Sequence, residues 1–292
     1  PKIKRILYKV VPESANRMAM VANGDVDIAV DLTPQELNAL KDRKGVNVVN
    51  VRNNSLVWIH INNQLKPFDD KLVRQALNYA TPRDEIVKSV FFGLARPWKG
   101  VIPSIFPGFT DKFWKYDYNL ETARALLNKA GYPDGFETTL SYQATEATSE
   151  KIAILMQTAL KKVGIKIKLN KMTAGPFSQQ IMTKKMPFAI WQDIPIQPDP
   201  NYCLTLPYDS NSFINYTNYS NPEVDKIIKE GRSIIDPVER VAFHEAVQGI
   251  VLDDAPLIFL IEPGYKLALR DNIKGFSYYT CRYIRFDDLT KE

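Results

Sequence analysis

The stretch "ETTLSYQATEATSEKIAILMQTALKKVGIKIKLNKM", residues 137–172, reads as a strand, an amphipathic helix and a second strand. "ETTLSYQ" has strand composition, and "IKIKLNKM" alternates apolar Ile165, Ile167 and Leu169 with polar neighbours, the period of a half-buried strand. Between them, Ile152, Leu155, Met156, Ala159 and Leu160 recur at helical spacing before Gly164. Two strands joined through a helix take a parallel-type connection, because a tight turn joins only antiparallel neighbours. That connection places the chain in the α/β class.

Outward from this unit the same signals recur. Toward the N-terminus, "IKRILYKVV" (3–11) has strand composition, residues 13–23 read as a helix closed by Gly24, and "VDIAV" (26–30) as a strand. This predicts a βαβ opening. "TPQELNALK" (33–41) carries Thr33 as N-cap, Pro34 at the first helical position and Glu36 as the return partner of a capping box. Strands are predicted at 47–52 and 56–61, and helices in "DDKLVRQALNYAT" (69–81), "PRDEIVKSVFFG" (82–93) and "NLETARALLNKAGYPDGF" (119–136). Residues 96–118 are rich in Pro, Gly and aromatics without either period and read as a long ordered loop, a kind that tends to be functional. Toward the C-terminus, Asn221-Pro222 and Asp236-Pro237 open two more helices, and strands follow at 257–261 and 265–270. The chain does not read as a single doubly wound unit.

Composition narrows the function classes. A chain of 292 residues, 45% hydrophobic, can bury a large core, and its apolar runs fall short of the roughly 20 residues of a membrane helix. The opening "PKIKRILYKVV" lacks the pattern of a signal peptide and reads as a processed boundary. The net charge of +5 is spread along the chain among 33 acids, with no basic cluster interleaved with aromatics, so no nucleic-acid partner is expected. Cys203 and Cys281 make neither a disulfide framework nor a metal motif; two separate buried thiols fit better than one bridge. GxSxG, HExxH, P-loop and GxGxxG patterns are absent, and no metal or other cofactor is expected.

One stretch stands out as a binding candidate: "AIWQDIPIQPDPNYCLTL" (189–206). Prolines 195, 198 and 200 cannot donate to a sheet, so a strand should stop near Trp191 and continue as a stiff loop. Trp191, Asp193 and Asp199 are thereby presented at a strand end, where α/β proteins place their sites. Trp191 is either a stacking wall or a core aromatic. Asp193 is either an anchor for a ligand cation or a turn former before Pro195, while Asp199 and Pro200 look like turn chemistry and Tyr202 is a further contact candidate. Asp193 and Asp199 as the carboxylate pair of a hydrolase is a remote alternative, since nothing enforces a facing geometry. Asn62 and Asn63 offer amides either to a ligand backbone or to the local main chain. Trp98 and Trp114 either rim a cleft or pack the loop; His60 and His244 stand alone, His244 as a surface or capped residue.

Several runs resemble one family: residues 62–97, 118–142, 155–169, 198–206 and 215–260, in order and at the usual spacings. They are similar to the large extracytoplasmic solute-binding proteins of peptide-type ABC importers, the oligopeptide, dipeptide and nickel family. The resemblance runs from about Pro1 to Phe286. It implies a two-lobed, periplasmic-binding-protein type II-like fold of about the C-terminal half or more of such a protein, one lobe complete and the other partial. Residues 1–62 and 262–292 would belong to the incomplete first lobe and 63–261 to the second, with crossings near "HINNQ" (60–64) and "IEPGY" (261–265). The implied function is capture of short peptides or a related polar small molecule between hinged lobes. The protein would act as a periplasmic or lipid-anchored extracytoplasmic monomer that serves a membrane permease; the alternative is a dedicated ligand such as an opine, a sugar conjugate or a modified amino compound.

Two departures bear on that ligand. Relatives that bind peptides place an acid for the ligand ammonium three residues ahead of the Asp of the Asp-Pro pair. That position is Ile196 here, and the acid on offer is Asp193. Dipeptide-specific relatives also carry an arginine for the ligand carboxylate after the strand that matches "ETTLSY", whereas residues 143–150 contain neither Arg nor Lys.

Overall fold

A computed structural model describes residues 2–279 and 283–292. The strand–helix–strand unit forms as the sequence predicts: β5 (Glu137–Gln143), α6 (Ala147–Lys161) and β6 (Lys166–Met172), with β5 and β6 paired in parallel, Glu137 opposite Lys166. They form one side of a six-stranded sheet in the order β4-β8-β3-β7-β5-β6. It is completed by β3 (Leu56–Ile61), β4 (Ala95–Pro97), β7 (Phe188–Asp193) and β8 (Leu257–Pro263). The sheet is mixed. β7 pairs in parallel with β5 and antiparallel with β3, while β8 runs antiparallel to both β3 and β4.

Both faces of this sheet are covered, which is why every residue of β8 is buried. On one face Val57, Ile59 and Ile61 of β3 and Phe188 and Ile190 of β7 pack against α3 (Lys71–Tyr79), α4 (Arg83–Ser89), α5 (Leu120–Lys129) and α6. On the other, Leu56, Leu257 and Phe259 meet α8 (Pro200–Tyr208), α9 (Pro222–Gly231) and α10 (Pro237–Asp254), with Trp98 of the long loop between. The period of two sends alternate residues of one strand into different cores.

A three-stranded antiparallel sheet, β1 (Ile28–Val30), β9 (Tyr265–Arg270) and β2 (Val46–Val51), is separate from the first. Ala268 of its central strand faces α1 (Ser14–Asn23) and α2 (Pro34–Leu40), packing near Val21, Leu37 and Leu40. Leu267 and Leu269 face the opposite way, toward Ile273 and Leu289. The capping box at Thr33 and Glu36 forms as expected. Residues 273–291 add the short antiparallel pairs β10 (Ile273–Lys274) with β13 (Thr290–Lys291) and β11 (Tyr278–Tyr279) with β12 (Tyr283–Ile284).

The chain crosses between the sheets twice. Residues 52–55 lead from β2 to β3, and Gly264 leads from β8 to β9. A Cβ on Gly264 would lie 1.9 Å from Oδ1 of Asn50 in β2, so a larger residue there would have to displace that side chain. Gly264 lies within "IEPGY", and "HINNQ" lies at and beyond the far end of β3, inside the six-stranded sheet.

Other differences follow from pairing and burial. Residues 3–11 are not a strand, and β1 pairs antiparallel with β9, so the predicted βαβ opening is absent. Strand composition becomes a strand only when a neighbour completes the ladder; here Leu7, Tyr8 and Val10 are 68%, 76% and 94% exposed. α7 (Ala174–Met182) and α8 were not anticipated. Cys203 is a buried free thiol, and Cys281 lies outside the described residues.

Gly135 and Gly164 fix the return from α6 into the sheet. Both have positive φ, and a Cβ on Gly135 would lie 2.2 Å from the Gly164 carbonyl. Gly135→Ala is expected to cost about 2 kcal/mol from left-handed backbone strain and forced separation, read as a lower urea midpoint at unchanged slope.

Candidate functional site

β7 runs two residues beyond its predicted stop, through Asp193, because Leu56 at the start of β3 still pairs with it. This register puts Asp193 beside the first crossing. The loop that follows is pinned there: Asn54 Nδ2 donates to the Pro195 carbonyl at 2.5 Å, and Tyr278 Oη, from the segment after the second crossing, donates to Asn54 Oδ1 at 2.6 Å. The strand end therefore opens toward the smaller sheet.

Trp191 and Trp58 are cross-strand partners on the face that holds α7 and α8. Trp191 stacks on Phe177 of α7, centroids 6.0 Å apart at 10°, and meets Tyr216 edge-on at 5.9 Å. It is half-buried, so it serves both as packing and as exposed wall. Trp58, His60, Trp191, Pro207, Tyr216 and Leu257 surround a small cavity behind it. Phe177 and Tyr216 were not singled out from the sequence, since neither carries a local signal of its place; the alternation along β3 could have put Trp58 and His60 on Trp191's face.

Asp193 has an unusual electrostatic position. Its side chain accepts a hydrogen bond from the Ile194 amide at 2.7 Å, and no cation pairs with it among the described residues. The residue is exposed at the rim, yet the surrounding protein desolvates the carboxyl and raises its pKa, with the Ile194 amide only partly opposing this. Its charge reaches Tyr216 and, with that of Asp199, Cys203, whose thiol is pushed to about 12, mainly by burial. An uncompensated acid beside an aromatic wall is suited to a cation on a small molecule.

Asp199 is the opposite case. It caps α8 through the Tyr202 amide at 2.9 Å, and Arg240 of α10 grips it at 3.0 and 3.1 Å. Desolvation alone would raise its pKa, but the Arg240 and Tyr202 hydrogen bonds outweigh it and lower the value. Asp199 is thus committed to the fold, which takes away the second carboxylate of the hydrolase alternative. Tyr202 is half-buried against the core of α8–α10.

Trp191, Asp193, Asp199 and Tyr202 share one strand–loop–helix unit. Asn62 and Asn63 do not join them. They follow Ile61 at the other end of β3, roughly 20 Å along the strand, where Asn62 donates to the Lys184 carbonyl at 3.0 Å and Asn63 to Ile61, Thr217 and Pro256 carbonyls. Trp98 is buried and donates to the Ile102 carbonyl at 3.1 Å; Trp114 stacks over Arg83. His244, expected at the surface or as a capped residue, is fully buried against Asn201 and the Arg240 carbonyl. Among the described residues no group of His, Cys, Asp and Glu could hold a metal ion, and no helix is long and apolar enough to cross a membrane.

His60 is buried with Nε2 on the Met186 carbonyl at 2.9 Å, and desolvation lowers its pKa from 6.5 to about 4 despite that bond. The unfolded chain takes up this proton near pH 6.5 and the folded protein only near 4. Stability is therefore intact above the first value and drains away as the pH falls toward the second. Between pH 7 and 5 His60 is expected to remove about 2 kcal/mol. Urea midpoints at the two pH values should show that much less loss in His60→Gln; equal losses would free His60 from this role.

Comparison with known proteins adds kinship. The family model "Bacterial extracellular solute-binding proteins, family 5 Middle" matches residues 1–215. The chain is 28% identical over 281 residues to the probable D,D-dipeptide-binding periplasmic protein DdpA of Escherichia coli (strain K12), covering 95% of this chain and 54% of that protein. It therefore spans about half the length of such relatives. The periplasmic binding protein DppA from Helicobacter pylori, solved with the peptide STSA, superposes with a TM-score of 0.87 at 24% identity, over 97% of this chain and 56% of that one. AgaA from A.tumefacien R10, solved with agropinic acid, gives 0.79 at 27% identity, over 91% and 55%.

Proposed function

Since this chain belongs to the bacterial extracellular solute-binding proteins of family 5, we propose that it is the solute-capturing part of an ABC importer and that its ligand carries a cation held by Asp193. One observation carries the reading of the site: Asp193 is desolvated, unpaired with any cation among the described residues, and set beside Trp191 at the strand end next to a crossing. A ligand ammonium there forms a charge-assisted bond that water competes for poorly. The complete protein, a monomer outside the cytoplasm, closes its two lobes when the solute touches both, and a membrane permease recognises the closed form.

Short peptides are the first ligand class, as the name of the DdpA relative suggests. A dedicated amino compound such as an opine is the second, favoured by the likeness to AgaA and by a 143–150 loop without Arg or Lys. The test is mass spectrometry of small molecules released on denaturing the complete protein from its native host. A ladder of peptide masses identifies a general peptide importer, and a single amine-bearing mass a dedicated one. Solutes without a basic nitrogen would refute the role of Asp193.

A further inference from the structure

One contact ties the bodies of the two sheets together away from the crossings. Lys151 of α6, on the six-stranded sheet, donates through Nζ to Oε1 of Gln35 in α2, on the three-stranded sheet, at 3.0 Å. Both side chains are exposed. The other hydrogen bonds described between the two bodies start from the crossings themselves. Arg52 donates to the Ser104 hydroxyl, Asn54 donates to Pro195 and accepts from Tyr278, and the Gly264 amide donates to the Leu94 carbonyl. Lys266, over the ring of Phe91, is only two residues past Gly264.

Position decides what the Lys151 contact can do. The first crossing leads into β3, and α6 begins four residues beyond the end of β5, which lies two strands from β3 in the sheet. At a strand spacing near 4.8 Å the contact is displaced about 10 Å sideways from the crossing. A hinge rotation of roughly 20° moves atoms at that distance by about 3 Å, which a hydrogen bond does not survive, whereas bonds at the hinge itself persist.

Its chemistry makes it breakable. No carboxylate pairs with Lys151 among the described residues, and the acids beside the contact are committed elsewhere, Glu36 to the capping box and the Ser14 hydroxyl, Glu150 to Lys171. The ammonium therefore meets a neutral amide at an exposed surface, a weak bond. Such a bond biases an equilibrium between two arrangements without locking either.

We propose that Gln35 and Lys151 form a closure latch, a contact involving neither Asp193 nor Trp191 that draws α2 onto α6 and raises the share of closed protein. The inference rests on the reading that the protein closes around its solute. Apparent affinity scales with the population of the form that binds, so the latch sets how tightly a solute is held without selecting which one.

Single-molecule energy transfer between dyes on the two bodies of the complete, solute-stripped protein reads the closed-to-open ratio. Gln35→Glu turns the latch into an ion pair and should raise that ratio about threefold; Gln35→Lys sets two ammonium groups together and should lower it by a similar factor. Both effects should shrink in about 1 M salt, a dependence that a merely structural role of Gln35 would not produce. An unchanged ratio in both variants would overturn the latch. So would a Lys151→Ala that weakens retention of an equimolar dipeptide library as much in a Gln35→Ala background as in wild type, since Lys151 would then act on the solute directly. Failure of the latch alone leaves wild type responsive to the small molecules released from the native-host protein. Energy transfer in wild type that is indifferent to them would overturn closure itself, and the latch with it.

Discussion

Arg83→Leu is expected to lower the unfolding free energy by about 4 kcal/mol, the sum of several orphaned acceptors and a hole in the core. Arg83 is 5% exposed, and no carboxylate pairs with it among the described residues. Its guanidinium is satisfied by carbonyls: Nε donates to Phe259 at 2.5 Å, Nη1 to Asn78 at 2.8 Å and Tyr116 at 3.0 Å, and Nη2 to Asn78 Oδ1 at 2.8 Å. The ring of Trp114 lies 4.8 Å away. Burial lowers the pKa to about 9, so the group stays charged at neutral pH. One side chain thereby ties α3 and α4 to the buried strand β8 and to the long loop. Leucine fills much of the volume but leaves these carbonyls facing apolar atoms. A chemical-denaturation midpoint that falls with unchanged slope is the expected readout, and a loss under 1 kcal/mol would mean that water takes over the abandoned acceptors.

Arg83 also shows where sequence reading stops. "PRDE" looks like an exposed helix start, and the helix is there, but nothing local says that its first residue points into the protein. The same holds for His244, whose helix "VERVAFHEAVQ" was recognised while its burial against Asn201 was not. Burial of a polar group depends on partners distant in the chain, so periodicity is silent about it. Local chemistry was far more legible. Thr33, Asn221 and Asp236 cap helices that open on proline, as their sequences require.

Asp199-Pro200 carries that same signal and opens α8, yet the prolines at 195 and 198 made the whole run look like a loop. Pro207, next to the last residue of that helix, has no N–H to donate four residues back, and α8 ends one residue later. Conversely, residues 3–11 have strand composition and no strand. The difference is one of range: a cap is completed within four residues, whereas a strand is completed by a segment elsewhere. The place of β3 has the same origin, because which sheet claims it is decided by β7 and β8, more than a hundred residues away. The candidate strand end was legible where it depended on Trp191 and Asp193, adjacent to a proline stop, and illegible at Phe177 and Tyr216, which reach Trp191 from elsewhere in the chain.

Asp193→Asn in the complete protein is expected to raise the ligand dissociation constant about a hundredfold, close to 3 kcal/mol, the cost of leaving a ligand cation without its anion in a partly desolvated cleft. The substitution keeps shape and the Ile194 contact, so stability should hardly change, unlike Asp199→Asn, which breaks the Arg240 grip between α8 and α10. Proton linkage gives an independent signature. Burial raises the Asp193 pKa above the ordinary carboxylate value, and a cationic ligand binds the ionised form. Affinity is therefore full above that raised pKa and falls as the pH drops through it, because the proton must leave before the ammonium can dock. The titration of binding should reach higher in pH than an ordinary aspartate would allow, and Asp193→Asn should flatten it. A wild-type affinity that is level from neutral pH down to the ordinary aspartate range, together with an unchanged constant in the variant, would move the cation to another residue; either result alone would separate charge from hydrogen bonding at this position.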